Sequence, residues 1–225
     1  MWWDLSKALH VGLPSLISES RGSLVAIAFN WTLLMKATET DVAVYGIIVN
    51  LTSIILLLLM APSNSMQPIV SSNFGARKHD RTREALKYSV LYSLGFSIFF
   101  ALIGLIFTRQ VAILFIDDGN YSFVDAALPA IRMAFISYIF RGLSIQFLVY
   151  LQSMSANKVA VRLSIVEGIV LPILSVLGLG MVFGANGVWF SLIFSEIVAL
   201  LLEFYALKNI DPIALEEAFI EDVEL

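Results

Sequence analysis

The sequence has no cysteine and little charge of either sign, and these two absences exclude several classes of protein. Cys is 0 in 225 residues, which excludes a secreted disulfide scaffold and any site built on a thiolate. With 14 Lys and Arg against 18 Asp and Glu, the net charge of -4 offers no basic surface for nucleic acid. The only histidines are His10 and His79, and no glycine-rich phosphate loop follows a strand. We therefore expect no enzyme active site and no metal site.

Long hydrophobic runs dominate what is present. Hydrophobic residues make up 59% of the chain and the mean hydropathy is +0.86, which is typical of an integral membrane protein. A helix needs about 20 apolar residues to cross the bilayer, so the length allows about six crossings. The sequence predicts an all-α polytopic membrane protein at 1–209 and an acidic cytoplasmic tail at 210–225. The six predicted spans lie at about 12–35, 42–72, 88–107, 130–151, 163–183 and 188–207.

Prolines predict where these helices deviate from straight geometry. The second span should bend near Pro62 or Pro68, because each proline removes a backbone donor from the helix. Pro172 lies inside the fifth span and predicts a kink there. Pro129 is expected in the first turn of the fourth span, where proline is tolerated.

Basic residues are distributed unequally between alternate loops. If the N-terminus is cytoplasmic, nine of them lie inside and only Lys36 and Arg109 lie outside. This asymmetry predicts that both termini are cytoplasmic. The segment 76–87 is predicted to form a short polar helix on the cytoplasmic surface. The nine inner residues are Lys7, Arg77, Lys78, Arg81, Arg83, Lys87, Lys158, Arg162 and Lys208.

Three spans each carry one ionisable residue on a face of small and polar side chains. Ionisable groups in hydrocarbon are costly, so each is a functional candidate. Arg21 is two residues from Glu19 and cannot share its face. The faces are Ser15, Glu19, Gly22, Ser23, Ala26 and Asn30 in the first span; Ser137, Arg141, Ser144 and Gln152 in the fourth; Ser164, Glu167, Gly168, Leu171, Ser175 and Gly178 in the fifth.

Two interpretations of these faces are open. They are either seams between packed helices, where one arginine neutralises a glutamate, or the lining of a hydrated cavity. In a cavity, a carboxylate could exchange protons or hold a cation. Glu196 and Glu203, seven residues apart on the last span, form a weaker candidate pair. We expect Glu203 to reach the membrane interface near Lys208.

The run from Gln67 to Lys78, with the sequence QPIVSSNFGARK, resembles the segment that ends a helix in bacterial multidrug and toxic compound extrusion (MATE) transporters. Three further motifs occur in the order of that family's second half. They are GLPS at 12–15, AVYGII at 43–48 and GANGVW at 184–189. The resemblance covers nearly the whole chain except the acidic tail.

The resemblance implies an antiporter fold in which two six-helix lobes enclose a central cavity and exchange drug-like organic cations for H⁺ or Na⁺, without a cofactor. This chain would supply the C-terminal lobe and need an N-terminal lobe or a second copy as partner. It also implies a bacterial inner-membrane location. Glu19 lies on the helix that carries a cation-binding acid in some members, with Glu167, Arg141 and Glu196 as further charges. Candidates for the substrate path are Ser15, Ser23, Asn30, Tyr45, Asn50, Gln67 and Arg141.

Two alternatives are carried forward. A lipid-linked oligosaccharide flippase of the same superfamily needs a wide positive lining, for which the spans offer only Arg21, Arg132 and Arg141. A transport-inactive lobe that acts only as an assembly partner is suggested by the length of 225 residues.

Overall fold

The computed structural model describes residues 21–116 and 121–210, and all regular elements in these ranges are helices. Five helical stretches are long and apolar enough to cross a membrane. The first predicted span is described from residue 21 onward, and the tail from 211 onward lies outside the described residues. The helices are α1 (21–36), α2 (Glu39–Leu59), α3 (Ala61–Gly75), α4 (His79–Ile106), α5 (Thr108–Ile113), α6 (Tyr121–Ser153), α7 (Asn157–Ile165), a π-helical turn (Val166–Val170), α8 (Leu171–Phe183) and α9 (Ala185–Asn209).

Helix α6 lies at the centre of the bundle and contacts α2, α3, α4, α5, α7 and α9. At 33 residues it is about 50 Å long, which exceeds the roughly 30 Å of hydrocarbon in a bilayer. The outer surface is apolar, with Leu57 74%, Val182 72% and Tyr205 69% exposed. An apolar exterior around a packed interior is what lipid requires, so the predicted all-α membrane fold is confirmed.

A second, smaller core lies at one end of the bundle. It packs Phe74 at the end of α3 against Met154 and Ala160, where α6 turns into α7, and against Leu207 near the end of α9. These three chain segments therefore meet at the same end. The basic residues that the sequence predicts as cytoplasmic adjoin them, at 77–87, 158–162 and 208.

Proline positions explain two departures from regular α-helix. The second predicted span runs from Glu39 to Gly75, and its helix is interrupted at Met60, two residues before Pro62. In the fifth span, the π-helical turn ends at Val170, two residues before Pro172. The Leu171 amide donates to the Val166 carbonyl, five residues earlier. A wide turn fits here because Pro172 has no amide hydrogen to continue the α-helical ladder.

Two sequence predictions about helix limits are wrong. The segment 76–87 does not form a separate polar helix, because α4 begins at His79 and continues without a break to Ile106. Pro129 lies inside α6 rather than in its first turn, because that helix begins at Tyr121. In both cases the helix extends beyond the apolar run that marked its span, as helices longer than the hydrocarbon layer do.

The connection between α8 and α9 depends on glycine. Gly184, with φ 61, is the single residue between the two helices, and its amide donates to the Gly180 carbonyl at 2.9 Å. One turn later, Gly187 lies against the backbone of Leu179, and a Cβ at position 187 would overlap the Leu179 carbonyl oxygen. The two helices can approach this closely only because Gly187 has no side chain.

We predict that Gly187→Ala lowers the free energy of unfolding by about 1–3 kcal/mol, because the added methyl group forces the helices apart. The matched control is Gly178→Ala on α8, where a Cβ would have nothing within 4 Å. That control should change stability by less than about 0.5 kcal/mol. Unfolding of the purified protein by SDS titration measures both, and equal effects of the two substitutions would contradict the close approach.

Candidate functional site

A cavity of about 450 Å³ opens between α1, α2, α6, the π-helical turn, α8 and α9. Its walls combine hydroxyl groups with ionisable groups and one aromatic side. A cavity of this size can hold water or part of a small ligand. The polar lining residues are Arg21, Tyr45, Thr52, Ser53, Ser137, Tyr138, Arg141, Glu167, Ser195 and Glu196.

Arg141 of α6 links two acidic residues on other elements. Its Nη1 donates to Oε1 of Glu167 in the π-helical turn, and to Oε1 of Glu196 on α9 at 3.4 Å. The side chains of Glu167 and Glu196 are only 6% and 17% exposed, and that of Arg141 is 27% exposed. One guanidinium therefore joins three parts of the chain inside the bundle, which its planar set of donors allows.

Glu203 extends this cluster, and the expectation that it reaches the interface near Lys208 is wrong. Its side chain is 0% exposed and accepts a hydrogen bond from Ser144 of α6. The spacing of seven residues keeps Glu203 on the same face of α9 as Glu196, and that face packs against α6. The sequence offered a hint of this contact, because Ser144 lies one turn after Arg141 on the same face of α6.

Acidic side chains outnumber basic ones in the cluster around Arg141 once buried Glu203 is counted, although the cavity lining itself holds two carboxyl groups and two guanidinium groups. Arg141 interacts with the charges of Glu167, Glu196 and Glu203. Arg21 also lines the cavity, and its Nη1 donates to Ser164 Oγ at 2.7 Å. Among the described residues, three carboxyl groups thus face two guanidinium groups. Buried charge without a partner is costly, so the arrangement favours uptake of a proton or another cation.

The π-helical turn places Glu167 in this cluster. A π-helical turn inserts one extra residue, and such turns are frequent at functional sites. Glu167 is its second residue, and Gly168 beside it leaves room for the Arg21 side chain. The helix irregularity before Pro172 and the buried carboxyl are therefore parts of one local structure.

The opposite wall of the cavity is aromatic. Phe29 of α1 stacks on Tyr45 of α2, with ring centroids 4.8 Å apart. Tyr138 of α6 shares a hydrogen bond of 2.8 Å with Thr52 of α2. The side chains of Phe29, Tyr45 and Tyr138 are 2%, 6% and 3% exposed, so this wall is tightly packed and leaves little free ring face toward the cavity.

The structure brings four of the predicted site residues to this cavity and leaves four described ones outside its lining. Tyr45, Arg141, Glu167 and Glu196 line it. Ser23, Asn50 and Gln67 are exposed elsewhere, and Asn30 is half-buried away from it. The Asn50 amide donates to the Gly46 carbonyl of its own helix at 3.0 Å. Ser15 and Glu19 lie outside the described residues, so their predicted roles stay predictions.

The cavity face of α1 is rotated from the polar face that the sequence suggested. The lining residues of α1 are Arg21, Gly22, Val25, Ala26 and Phe29, and Ser23 is not among them. The polar residues of α1 predicted the wrong centre for its cavity face. The middle of that face is formed by apolar Val25 and by Phe29, which packs on Tyr45.

Polar residues also form a seam between another pair of helices, α4 and α6. Ser89 donates to the Gln146 side chain at 2.5 Å, and Ser93 donates to the Gly142 carbonyl at 2.7 Å. Gln146 is 0% exposed and also donates to the Leu59 carbonyl at 3.3 Å. Small polar residues here hold helices together, as is common in membrane bundles. The sequence analysis did not identify Gln146.

A larger groove of about 740 Å³ lies between α3 and α4. Its lining is mainly apolar, with Met66, Ile69, Tyr92 and Phe96, and Arg81 stands among its few charged residues. The buried acidic cluster is absent from its lining, so the cavity at Arg141 is the better candidate for cation chemistry.

We predict that Arg141→Leu lowers the free energy of unfolding by about 3–5 kcal/mol, because it leaves the buried carboxyl groups without their cation. Adding Glu167→Leu should recover most of the loss. The control is Arg109→Leu: its pair with Asp125, at 3.4 Å, is more than half exposed and should contribute less than about 1 kcal/mol. SDS-induced unfolding measures all three, and a double variant no more stable than Arg141→Leu would contradict the pairing.

Comparison with known proteins identifies the family and the fold. The profile of the MatE family matches residues 14–178. The multidrug export protein MepA of Staphylococcus aureus is 24% identical over 209 residues, which is 91% of this chain and 45% of MepA. An FAD transporter of Shewanella oneidensis is 29% identical over 128 residues, which is 55% of this chain and 28% of that protein.

A solved structure has the same fold. It is an inward-facing multidrug resistance MATE family transporter of the MOP superfamily, with a TM-score of 0.82 at 18% identity. The match covers 95% of this chain and 49% of that chain, so the chain spans about half the length of the relatives it matches. Members of this family are transporters and not enzymes, as the sequence predicted. The chain belongs to the MatE family of membrane transporters.

Proposed function

We propose that this chain is one lobe of a cation-coupled multidrug antiporter that exports organic cations by alternating access. The observation that carries the proposal is the pair of carboxyl groups on the cavity lining, Glu167 and Glu196, that share the guanidinium of Arg141. Glu167 and Glu196 bind the coupling cation, H⁺ or Na⁺, and Arg141 holds both carboxyl groups in position. The coupling cation and the cationic substrate then compete for the same negative charge.

Because Arg141 is paired with two acids, the cavity suits a cationic substrate better than an anionic one. FAD and lipid-linked oligosaccharides carry pyrophosphate groups, which need several unpaired cations. Arg141 is already paired with Glu167 and Glu196. Arg132 lies away from the cavity and donates to Thr108 at 3.4 Å. The flippase alternative therefore receives little support from the described residues, whereas the carboxyl groups of Glu167 and Glu196 on the lining suit an organic cation.

A partner lobe is part of the proposal. Alternating access needs two bundles that move around a shared site. Exposed polar side chains on a membrane-crossing helix are costly in lipid, and α3 carries several of them, including Asn64, Ser65 and Gln67. A covering protein surface would remove this cost. We propose an N-terminal six-helix lobe as that partner, with a second copy of the chain or a transport-inactive lobe as the alternatives.

The proposed location is the bacterial inner membrane, with both termini cytoplasmic. Support comes from the basic residues at 77–87, 158–162 and 208, which adjoin a single end of the bundle. In this orientation the cavity exchanges its cation with the two sides of the membrane in turn. Glu19 is proposed as a further cation ligand, and the substrate path is proposed to include Ser15, Ser23, Asn30, Tyr45, Asn50 and Gln67.

The test is ethidium efflux from liposomes under an imposed H⁺ or Na⁺ gradient, with the chain reconstituted alone and together with an N-terminal lobe of the family. We expect exchange only with both lobes. Glu167→Gln should lower its rate by about tenfold or more, because a hydrogen bond to a charged group contributes about 1.5–3 kcal/mol and 1.4 kcal/mol is a factor of ten.

The matched control is Glu39→Gln, an exposed acid in the first turn of α2, which should leave the rate unchanged. Absence of gradient-driven exchange with both lobes present would favour the transport-inactive alternative. Exchange by the chain alone would indicate a functional homodimer. An unchanged rate and gradient dependence in Glu167→Gln would contradict the role given to that carboxyl.

A further inference from the structure

Glu203 is the most deeply buried acid in the described part of the chain, and the proposed function does not use it. Its side chain is 0% exposed, on the part of α9 that packs against α6. It is absent from the cavity lining. An ionised carboxylate in such a place is costly unless cations or donors surround it.

Only one oxygen of this carboxyl has a donor from the described residues. Ser144 Oγ donates to Oε2, while Oε1 is buried without a hydrogen-bond donor. The Glu203 carboxyl also faces the Glu167 carboxyl. Glu167 in turn accepts from Arg141. Two carboxyl groups in contact form a hydrogen bond only when one of them carries a proton.

The charged groups around Glu203 do not supply a second cation. From α6 it meets Arg141, from the π-helical turn Glu167, and on its own helix Glu196 lies two turns earlier. The guanidinium of Arg141 is already shared between Glu167 and Glu196. Arg21 lies beyond Gly168 and donates to Ser164.

We infer that Glu203 and Glu167 share one bound proton, held between their carboxyl groups and positioned by the hydrogen bond from Ser144. This deepens the proposed function, on which its role in transport rests, by naming H⁺ as the ion of this site. A proton needs no ligand beyond the two oxygens, which fits a fully enclosed position. A metal cation such as Na⁺ would need several oxygen ligands.

The proton links this pair to the cavity. When the Glu167 carboxylate contacts Arg141 and no longer Glu203, the proton stays on Glu203, which is then a neutral acid. When the proton leaves through Glu167, which lines the cavity, both carboxyl groups must be compensated by Arg141. Binding and release of one proton therefore change how tightly Arg141 holds Glu196, the other carboxyl exposed to the cavity.

Infrared difference spectroscopy on the full chain in lipid nanodiscs tests this directly, because a protonated carboxyl has a C=O stretching band that a carboxylate lacks. We expect this band at neutral pH, its loss in Glu203→Gln, and its retention in the control Glu84→Gln, an exposed acid on α4. Glutamine can donate to Glu167 and accept from Ser144, so the variant keeps the hydrogen bonds of the protonated pair.

The pH dependence of the melting temperature is a second measurement that detects the same proton. If the folded state holds a proton that the unfolded state releases, the melting temperature of the wild type falls as pH rises from mildly acidic to mildly alkaline. Glu203→Gln should lose most of this dependence, and replacing K⁺ by Na⁺ at constant ionic strength should have no effect.

Absence of the band in the wild type, or its persistence in Glu203→Gln, would overturn the inference. Stabilisation by Na⁺ in place of the pH dependence would overturn it in favour of a bound metal cation. Neither measurement requires transport. If the band behaves as expected but the protein shows no gradient-driven exchange, the proposed function is refuted and the proton site is retained.

Discussion

The structure depends on one half-buried arginine that compensates more than one acid. Arg141 extends from the central helix α6 to Glu167 in the π-helical turn and to Glu196 on α9. Such clusters add little to stability relative to apolar packing, but they are costly to break. The charges of this cluster are not fully balanced, and the cluster lies between helices that can separate. Ion binding can therefore be coupled to the positions of these helices.

The π-helical turn and the hairpin that follows it position the acidic residues of this cluster. Pro172 prevents a regular α-helix, and the wide turn before it carries Glu167. The hairpin at Gly184 then returns the chain along the same side, so that α9 carries Glu196 and Glu203 back past α6. The three acids thus reach one place from two helices that are consecutive in sequence. The remaining wall, made by Phe29 and Tyr45, belongs to α1 and α2.

Much of the fold could be predicted from the sequence, because hydrophobic runs, basic loops and prolines are local signals. The break near Pro62 and the irregular turn before Pro172 follow from the missing amide hydrogen of proline. The ends of α4 and α6 were misjudged because helices continue past the hydrocarbon into polar sequence, where the apolar run no longer marks them. Polarity alone also missed the rotation of α1, whose cavity face includes Val25 and Phe29.

The site could be predicted only in part, because its partners come from different helices. Single-helix projections placed Arg141 and Glu167 on polar faces but could not show that one guanidinium meets Glu196 as well. Glu203 was assigned to the interface because it lies near the end of its hydrophobic run, whereas α9 continues to Asn209 and keeps it buried. Packing between helices, and not periodicity, decided these positions.

The central claim is that the polar faces at Arg141 line a water-filled cavity, whereas those between α4 and α6 form a dry seam. The sequence has 0 Cys, so single cysteines can be introduced without background. Labelling in membrane vesicles by a small water-soluble methanethiosulfonate should be fast at Ser53→Cys and Ser195→Cys, which line the cavity. It should be at least tenfold slower at Ser93→Cys and Ser97→Cys on α4, about 1.4 kcal/mol in accessibility, because both serines are 0% exposed. Equal labelling at the four positions, or none at Ser195→Cys and Ser53→Cys, would contradict the account.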